Sequence, residues 1–474
     1  MDTAIRGTLA LTMRDGRIDP IEDATVTVDD GEITAVGPSA EVEGDADRVI
    51  DGTNTVTTPG LVNVHAHTGL TVLRGGAQDV PEIEWMNRAL GPLAERTSPQ
   101  DHVAGSRLGV LEMVLSGVTT VGEYAGEVER LVDAVYDPAG VRVVATETIN
   151  AVATEKDSLG PDEPYPLDPT QARDGLERNE QLFDRYADHP RVRPMYGPQA
   201  LDMVPAATLE EIHERAVDGD RGIHMHVAQG ARERRQIESR YGSGESTVSV
   251  LEDVGLVSDH LLAAHLHDAS PEERKRLADA GVRMAANPSS IAAIDGITPP
   301  IVEYRDHGGV VGIGTDQAPG PGGHDFLREL RTACLLAKTD AVDPTAFPAW
   351  DALAVATVGG ARALGIDDRV GTLEPGKRAD IAVFDLDHPS IAPVVTDPLH
   401  TAVPNLVYGA NGGLAEHVFV DGEPVVADGE STTIDAEETI AEANRRASDL
   451  FEAGADDWRA AGSTLVDRVD EGWL

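Results

Sequence analysis

Eight short apolar runs recur through the middle of this chain, near residues 61–67, 118–124, 141–147, 191–197, 221–228, 261–267, 282–287 and 309–315. Helical stretches lie between most of them. Residues 206–217, for example, place Leu209, Ile212, Ala216 and Val217 on one helical face. Strand-then-helix repetition predicts a parallel sheet with right-handed crossovers. Eight such strands predict an α/β fold closed as a (β/α)₈ TIM-like barrel, with its active site at the C-terminal ends of the strands.

The two ends of the chain read differently. Ala24-Thr25-Val26-Thr27-Val28 alternates, Asp30-Gly31 turns the chain, and Ile33-Thr34-Ala35-Val36 returns. Val418-Phe419-Val420-Asp421-Gly422-Glu423-Pro424-Val425-Val426 is a second hairpin pattern, and 379–384 another strand. The expected organisation is therefore one small β-domain built from 1–58 and 367–432, a barrel at 59–366 between them, and a helical segment at 433–474.

Composition narrows the setting. The formal charge is −45, from 83 acidic and 38 basic residues, and lysine occurs only at 156, 275, 338 and 377. Such a surface repels itself in dilute buffer, and the repulsion fades as the Debye length falls to about 3 Å in 1 M salt. The acids are spread along the whole chain, which reads as adaptation to a high-salt cytoplasm rather than as an acidic tail. No basic patch is available for nucleic acid. No run of about 18 apolar residues predicts a membrane span, and the first residues lack a signal-peptide layout. Cys334 is the only cysteine. That excludes an internal disulfide and suits a reducing compartment; its apolar helical context reads as packing.

Polar residues at the strand ends carry the chemistry. His65 and His67, at i and i+2 on the first strand, point to one face and toward one metal ion. The plain alternative is two satisfied core histidines. His226 is the third ligand candidate. His224 shares its face one layer deeper, where a buried hydrogen-bonded side chain is the simpler reading. His265 faces inward near the end of the sixth strand, as a donor to water or substrate, or as a ligand. His267 reads as loop or rim. Asp316 follows Gly314-Thr315 at the end of the eighth strand, where a carboxylate can bind a metal and accept a proton from its water; the plain alternative is a turn or helix-cap aspartate. Three histidines and an aspartate suit one divalent ion, Zn²⁺ first and Fe²⁺ as the alternative. Trp85, Gln317 and His324 are substrate-pocket candidates, Trp85 by stacking on a planar ring. Gly320-Pro321-Gly322-Gly323 reads as a flexible loop and Arg232-Glu233-Arg234-Arg235 as a solvated helix face.

Pro59-Gly60-Leu61-Val62-Asn63-Val64-His65-Ala66-His67, Leu73-Arg74-Gly75, Glu84-Trp85, Ser116-Gly117-Val118-Thr119-Thr120, Asn287-Pro288-Ser289-Ser290, Gly314-Thr315-Asp316 and 371–380 follow one another in an order that resembles the amidohydrolase superfamily. The nearest branch resembles the methylthioadenosine/S-adenosylhomocysteine deaminases and s-triazine hydrolases, including N-ethylammeline chlorohydrolases. The resemblance covers roughly 20–430. It implies a barrel with a small composite β-sandwich, metal ligands at His65, His67, His226 and Asp316, and contact of His265 with the attacking water and substrate. It also suggests a homodimer or larger homo-oligomer. Two-metal relatives use a modified lysine on a central strand; here only Lys156 lies between the first and fifth strands, so one metal is expected.

Three departures fall in substrate handling. Gln229 stands where the branch has a glutamate that carries a proton to the ring. Gln199 stands for a substrate-contacting histidine, and Ala94 for a glutamate that holds ribose hydroxyls. An amide hydrogen-bonds but does not shuttle a proton at pH 7. The expected activity is hydrolytic deamination, or dechlorination, of a small purine, pyrimidine or triazine-type heterocycle. Asp316 would be the base, aided by His265, and Gln199 and Gln229 would contact substrate. The alternatives are cyclic amide or lactam hydrolysis on the same scaffold, and a non-catalytic binding scaffold.

Overall fold

A computed structural model describes residues 1–14, 17–153 and 163–473, with Arg14 given by its backbone alone. Five strands come first: β1 (Thr3–Arg14), β2 (Arg17–Asp29), β3 (Glu32–Pro38), β4 (Arg48–Asp51) and β5 (Thr55–Pro59). Eight follow where the apolar runs lie: β6 (Leu61–Ala66), β7 (Val118–Ala125), β8 (Arg142–Ile149), β9 (Val192–Pro198), β10 (Ile223–Val227), β11 (Leu261–His265), β12 (Arg283–Ala286) and β13 (Val311–Ile313). Four complete the set: β14 (Ile381–Asp385), β15 (Ala415–Val420), β16 (Glu423–Ala427) and β17 (Glu430–Ser431).

Strands β6 to β13 pair in sequence order, each parallel to the next. Every residue of β6, β10 and β11 is buried. That explains why these strands read as apolar runs rather than alternating patterns: both faces of a parallel sheet are covered. The barrel closes where the His67 N–H donates to the Asp316 carbonyl at 2.8 Å and the Asp316 N–H donates to the His65 carbonyl at 3.0 Å. The two ends of the barrel sheet therefore meet at the proposed ligands.

Both chain ends contribute to a second sheet, ordered β17-β16-β15-β14-β5-β1-β2-β3, with β4 on β1. Pro59-Gly60-Leu61 carries the chain directly from one sheet to the other. A Cβ on Gly60 would lie 2.1 Å from Thr119 Oγ1, so only glycine fits this joint. The helix Ala436–Ala461 starts at an Asp435 cap and packs on the helix Pro99–Leu115, with Arg446 on Asp101 at 2.9 Å. Among the described residues no helix is long and apolar enough to cross a membrane.

One packing expectation needs correction. The helix Ala206–Gly219 buries Leu209, Ile212 and Ala216, but Val217 is 50% exposed. Each residue advances about 100° around a helix, and Val217 has turned out of the stripe that Ala216 closes.

Arg142, at the first position of β8, ties the two sheets together. Its guanidinium donates to both carboxylate oxygens of Asp380 at 2.9 Å and to Asp421 at 2.6 Å, with all three side chains buried. Removing one partner leaves buried charge unpaired. Arg142→Ala is expected to cost about 3–5 kcal/mol, read as a lower denaturant midpoint at unchanged slope.

Candidate metal centre and its pocket

The ring nitrogens at the barrel's C-terminal end are sorted by their backbone partners. His67 Nδ1 donates to the Tyr124 carbonyl at 2.7 Å, and His226 Nδ1 to the Gln199 carbonyl at 2.9 Å. A carbonyl only accepts, so both hydrogens sit on Nδ1 and both Nε2 atoms present bare lone pairs. Those two Nε2 atoms lie 3.2 Å apart. His65 Nε2 is buried without a hydrogen-bond partner. One nitrogen from each of the three rings lies within 4.8 Å of the others. Asp316 Oδ1 completes the group, 3.5 Å from His65 Nε2 and 3.4 Å from His67 Nε2. Lone pairs crowded this way repel one another unless a cation lies among them. The donor set of three imidazole nitrogens and one carboxylate oxygen fits a divalent ion.

Protonation agrees. Burial first, then the neighbouring His65 ring, lowers His67 to about 4. Burial also holds His226 well below the ordinary histidine value and lowers His265 to about 3. The His67, His226 and His265 rings are thus neutral at pH 7, the form in which an imidazole binds a metal. Burial alone would raise Asp316, but the imidazole rings of His65, His265 and His67 around it hold it well below the usual carboxylate range.

Backbone strain marks the same strand ends. Ala228, His265 and Asp316 have φ of 50°, 84° and 58°. Left-handed conformations of non-glycine residues cost about 1–3 kcal/mol each and persist where surrounding structure holds them. At Asp316 the closing hydrogen bonds of the barrel do the holding.

Neighbours steady each group. Ser290 Oγ donates to Asp316 Oδ2 at 2.5 Å. Asn287 Nδ2 lies between the Ala285 carbonyl and His265 Nδ1, at 3.3 and 3.0 Å. His265 Nδ1 therefore accepts, and its Nε2–H is left as a donor toward the cavity. His224 Nε2 meets His65 Nδ1 at 2.8 Å, and its other nitrogen lies 3.2 Å from Thr146 Oγ1. Thr68 and Tyr136 donate to the buried Glu123, pinning the turn that follows His67.

An open cavity of about 560 Å³ stands over the centre. His67, His226, His265 and Asp316 form its base; Trp85, Met86, Leu90, Ile291 and Ile294 give it apolar walls. Gln199, Gln229 and Gln317 also line it, and so does Ala94. Gln229 Nε2 and Trp85 Nε1 are buried without hydrogen-bond partners. Gln317 spends its amide locally, accepting from the Gly320 N–H at 2.9 Å and reaching Ser290 Oγ at 3.4 Å.

Three sequence readings change. His324 is not in the cavity wall. It is fully buried, with its two nitrogens 2.8 Å from Thr315 Oγ1 and 3.1 Å from Thr71 Oγ1, where it braces the strand end carrying Asp316. His267 follows β11 in a loop as expected, but its side chain is only 2% exposed. Arg232 and Glu233 are not solvated: they are 3% and 0% exposed. Arg232 binds Asp202 at 2.5 Å and lines the cavity. Glu233 accepts from the Gln229 N–H and from Thr247 Oγ1, each at 2.8 Å. The signal was in the helix Ala231–Tyr241, where Arg232, Glu233, Gln236 and Ile237 share one spaced face. Lys156 lies outside the described residues.

A parallel barrel with this ligand cluster at its C-terminal mouth defines a metal-dependent hydrolase of the TIM-barrel class. Residues 56–425 match the amidohydrolase family, and the chain belongs to it. It is 35% identical to the 5-methylthioadenosine/S-adenosylhomocysteine deaminase of Desulforudis audaxviator, over 85% of this chain and 89% of that one. Among solved structures it is similar to a zinc-bound adenosine deaminase from Xanthomonas campestris, with a TM-score of 0.85 and 28% identity over 95% of this chain and 98% of the other. It is also similar to the atrazine chlorohydrolase of Arthrobacter aurescens TC1 complexed with zinc, with a TM-score of 0.82 and 26% identity over 94% and 100%.

Two outcomes follow from this geometry. His224→Leu is expected to weaken metal affinity about 10–100-fold, because it frees the His65 ring; competition with a chelator measures it. Glu233 is raised from 4.5 to about 8, by burial first and then by the Asp202 charge. The folded protein keeps a proton that the unfolded chain releases, so this group's contribution is greatest below pH 4.5 and declines as pH rises to about 8. Glu233→Gln is accordingly expected to raise Tm relative to the native chain at pH 9 and to leave it nearly level at pH 5.

Proposed function

We propose that this chain hydrolyses an amino-substituted planar nitrogen heterocycle of the purine, pyrimidine or triazine type and releases ammonia, with one divalent ion, zinc in first place. The observation that carries the reading is the convergence of three imidazole nitrogens and an ionised carboxylate at the base of an open, apolar-walled cavity. The deaminase and chlorohydrolase relatives support the reaction class, and the zinc in two structural neighbours supports the metal. The dispersed acids and scarce lysines support a high-salt cytoplasm as its setting.

When bound, the ion supplies Lewis acidity, which can bring the pKa of a water from about 15.7 to near 7. The remaining roles belong to the chain. Asp316 accepts the water proton and later delivers it to the leaving group, its far oxygen held by Ser290. His265 Nε2–H donates to the oxygen that adds to the ring. Gln229 donates a hydrogen bond to the ring but transfers no proton. Gln199 borders the same space and contacts a polar substituent. Trp85, Met86, Ile291 and Ile294 hold the ring flat and keep bulk water out.

A screen of amino-heterocycles for ammonia release at molar KCl tests this. Metal-depleted protein is expected to be inactive and zinc to restore it. Asp316→Asn is expected to lower turnover about 10²–10⁴-fold in protein that still carries zinc. Ring opening to a carboxylate without ammonia would replace deamination by cyclic amide hydrolysis. Undiminished ammonia release after metal removal would end the reading.

A further inference from the structure

The residue after Gln229 brings two carboxylates together. A Cβ on Gly230 would lie 3.1 Å from Asp295 Oδ1 and 3.4 Å from Glu82 Cδ, and both acids line the cavity. Their compensation is thin. The nearest guanidinium, Arg232, donates to Asp202 at 2.5 Å and stands 3.5 Å from Glu82 Oε1. One cation thus serves two carboxylates, Asp202 and Glu82, with the Arg232 backbone N–H also donating to Glu82 Oε2 at 3.3 Å, and Asp295 has no guanidinium paired with it among the described residues. Arg234 is engaged by Asp268. His267 Nε2 lies 3.6 Å from Asp295 Oδ2 without a hydrogen bond; neither of its ring nitrogens has a partner, and its side chain is 2% exposed. Burial raises Glu82 above the ordinary carboxylate value; Arg232 pulls it back and Asp295 pushes it further up. This corner of the cavity is short of positive charge.

Gln229 makes the shortage chemically meaningful. Adding water across a neutral amidine ring builds negative charge on a ring nitrogen, which then needs a proton. The amide of Gln229 has none to give. A ring that already carries a positive charge needs none, because addition makes it neutral. We propose that the preferred substrate is a cationic amino-heterocycle, protonated or alkylated on a ring nitrogen, whose charge rests against Glu82 and Asp295. The proposal depends on the deaminase reading above and names its substrate class. In the reaction a carbon–oxygen bond forms and the exocyclic carbon–nitrogen bond breaks. Both water protons end on the leaving nitrogen. The cation and water become a neutral oxo-heterocycle and ammonium, so charge and atoms balance.

The test compares matched pairs on the zinc-loaded protein. Ammonia release is measured at about pH 6, where the methylated bases are cations and the parent bases neutral, for 3-methylcytosine against cytosine and for 1-methyladenine against adenine. Calorimetry compares binding of 1-methylpyridinium with its neutral isostere toluene. The methylated cations are expected to lead by about tenfold or more in kcat/KM and in affinity. That lead is expected to shrink toward equality in Glu82→Gln/Asp295→Asn and to persist in Glu82→Asp, with zinc content confirming that each variant is folded. Equal binding of charged and neutral rings by the native protein would overturn the proposal. So would a lead that survives in the double variant. A neutral ring with a charged tail, 1-(2-aminoethyl)cytosine, outcompeting the ring cations would overturn it as well. If no compound releases ammonia while zinc is bound, the deaminase reading falls, and the calorimetric ratio still decides the charge preference.

Discussion

Two backbone carbonyls, those of Tyr124 and Gln199, decide which nitrogen of His67 and His226 carries the hydrogen. Everything at the barrel mouth depends on that choice. With both hydrogens on Nδ1, the Nε2 lone pairs turn inward and meet His65 Nε2 and Asp316 Oδ1 in one small volume. Had either ring the other tautomer, a hydrogen would occupy the space where a metal ion belongs. The carbonyls themselves come from the ends of neighbouring strands, so barrel register and ligand chemistry are a single arrangement.

Closure of the sheet serves the same end. The hydrogen bonds that join β6 to the end of β13 run through His65, His67 and Asp316. They hold Asp316 in a left-handed conformation that a free chain would leave, and the Thr315–His324–Thr71 bridge stiffens the turn behind it. Strain, ligand and barrel seam coincide, which is where a fold can best afford an unfavourable backbone angle.

Much of this was readable beforehand because parallel barrel strands are buried on both faces and stand out as apolar runs. All eight lie where the runs do, and the histidines and aspartate at their ends lie at the mouth. The helix Ala231–Tyr241 was misread because charge dominates its composition; only its spacing showed that Arg232 and Glu233 ride beside Ile237. His324 was misread because it follows a glycine-rich loop. What sends it inward is a pair of threonine hydroxyls 9 and 253 residues away in sequence. Local pattern carries no information about such distant partners.

The sequence by itself determined the class of fold, the order of the strands and the identity of the candidate ligands, since these follow from hydrophobic periodicity and residue type. Only the tertiary structure decided which nitrogens are free, which acids share Arg232, and that Glu82 and Asp295 meet across Gly230. Those outcomes depend on contacts between segments far apart in the chain, which bring a given donor, acceptor or charge within reach of its partner only when the whole fold is assembled.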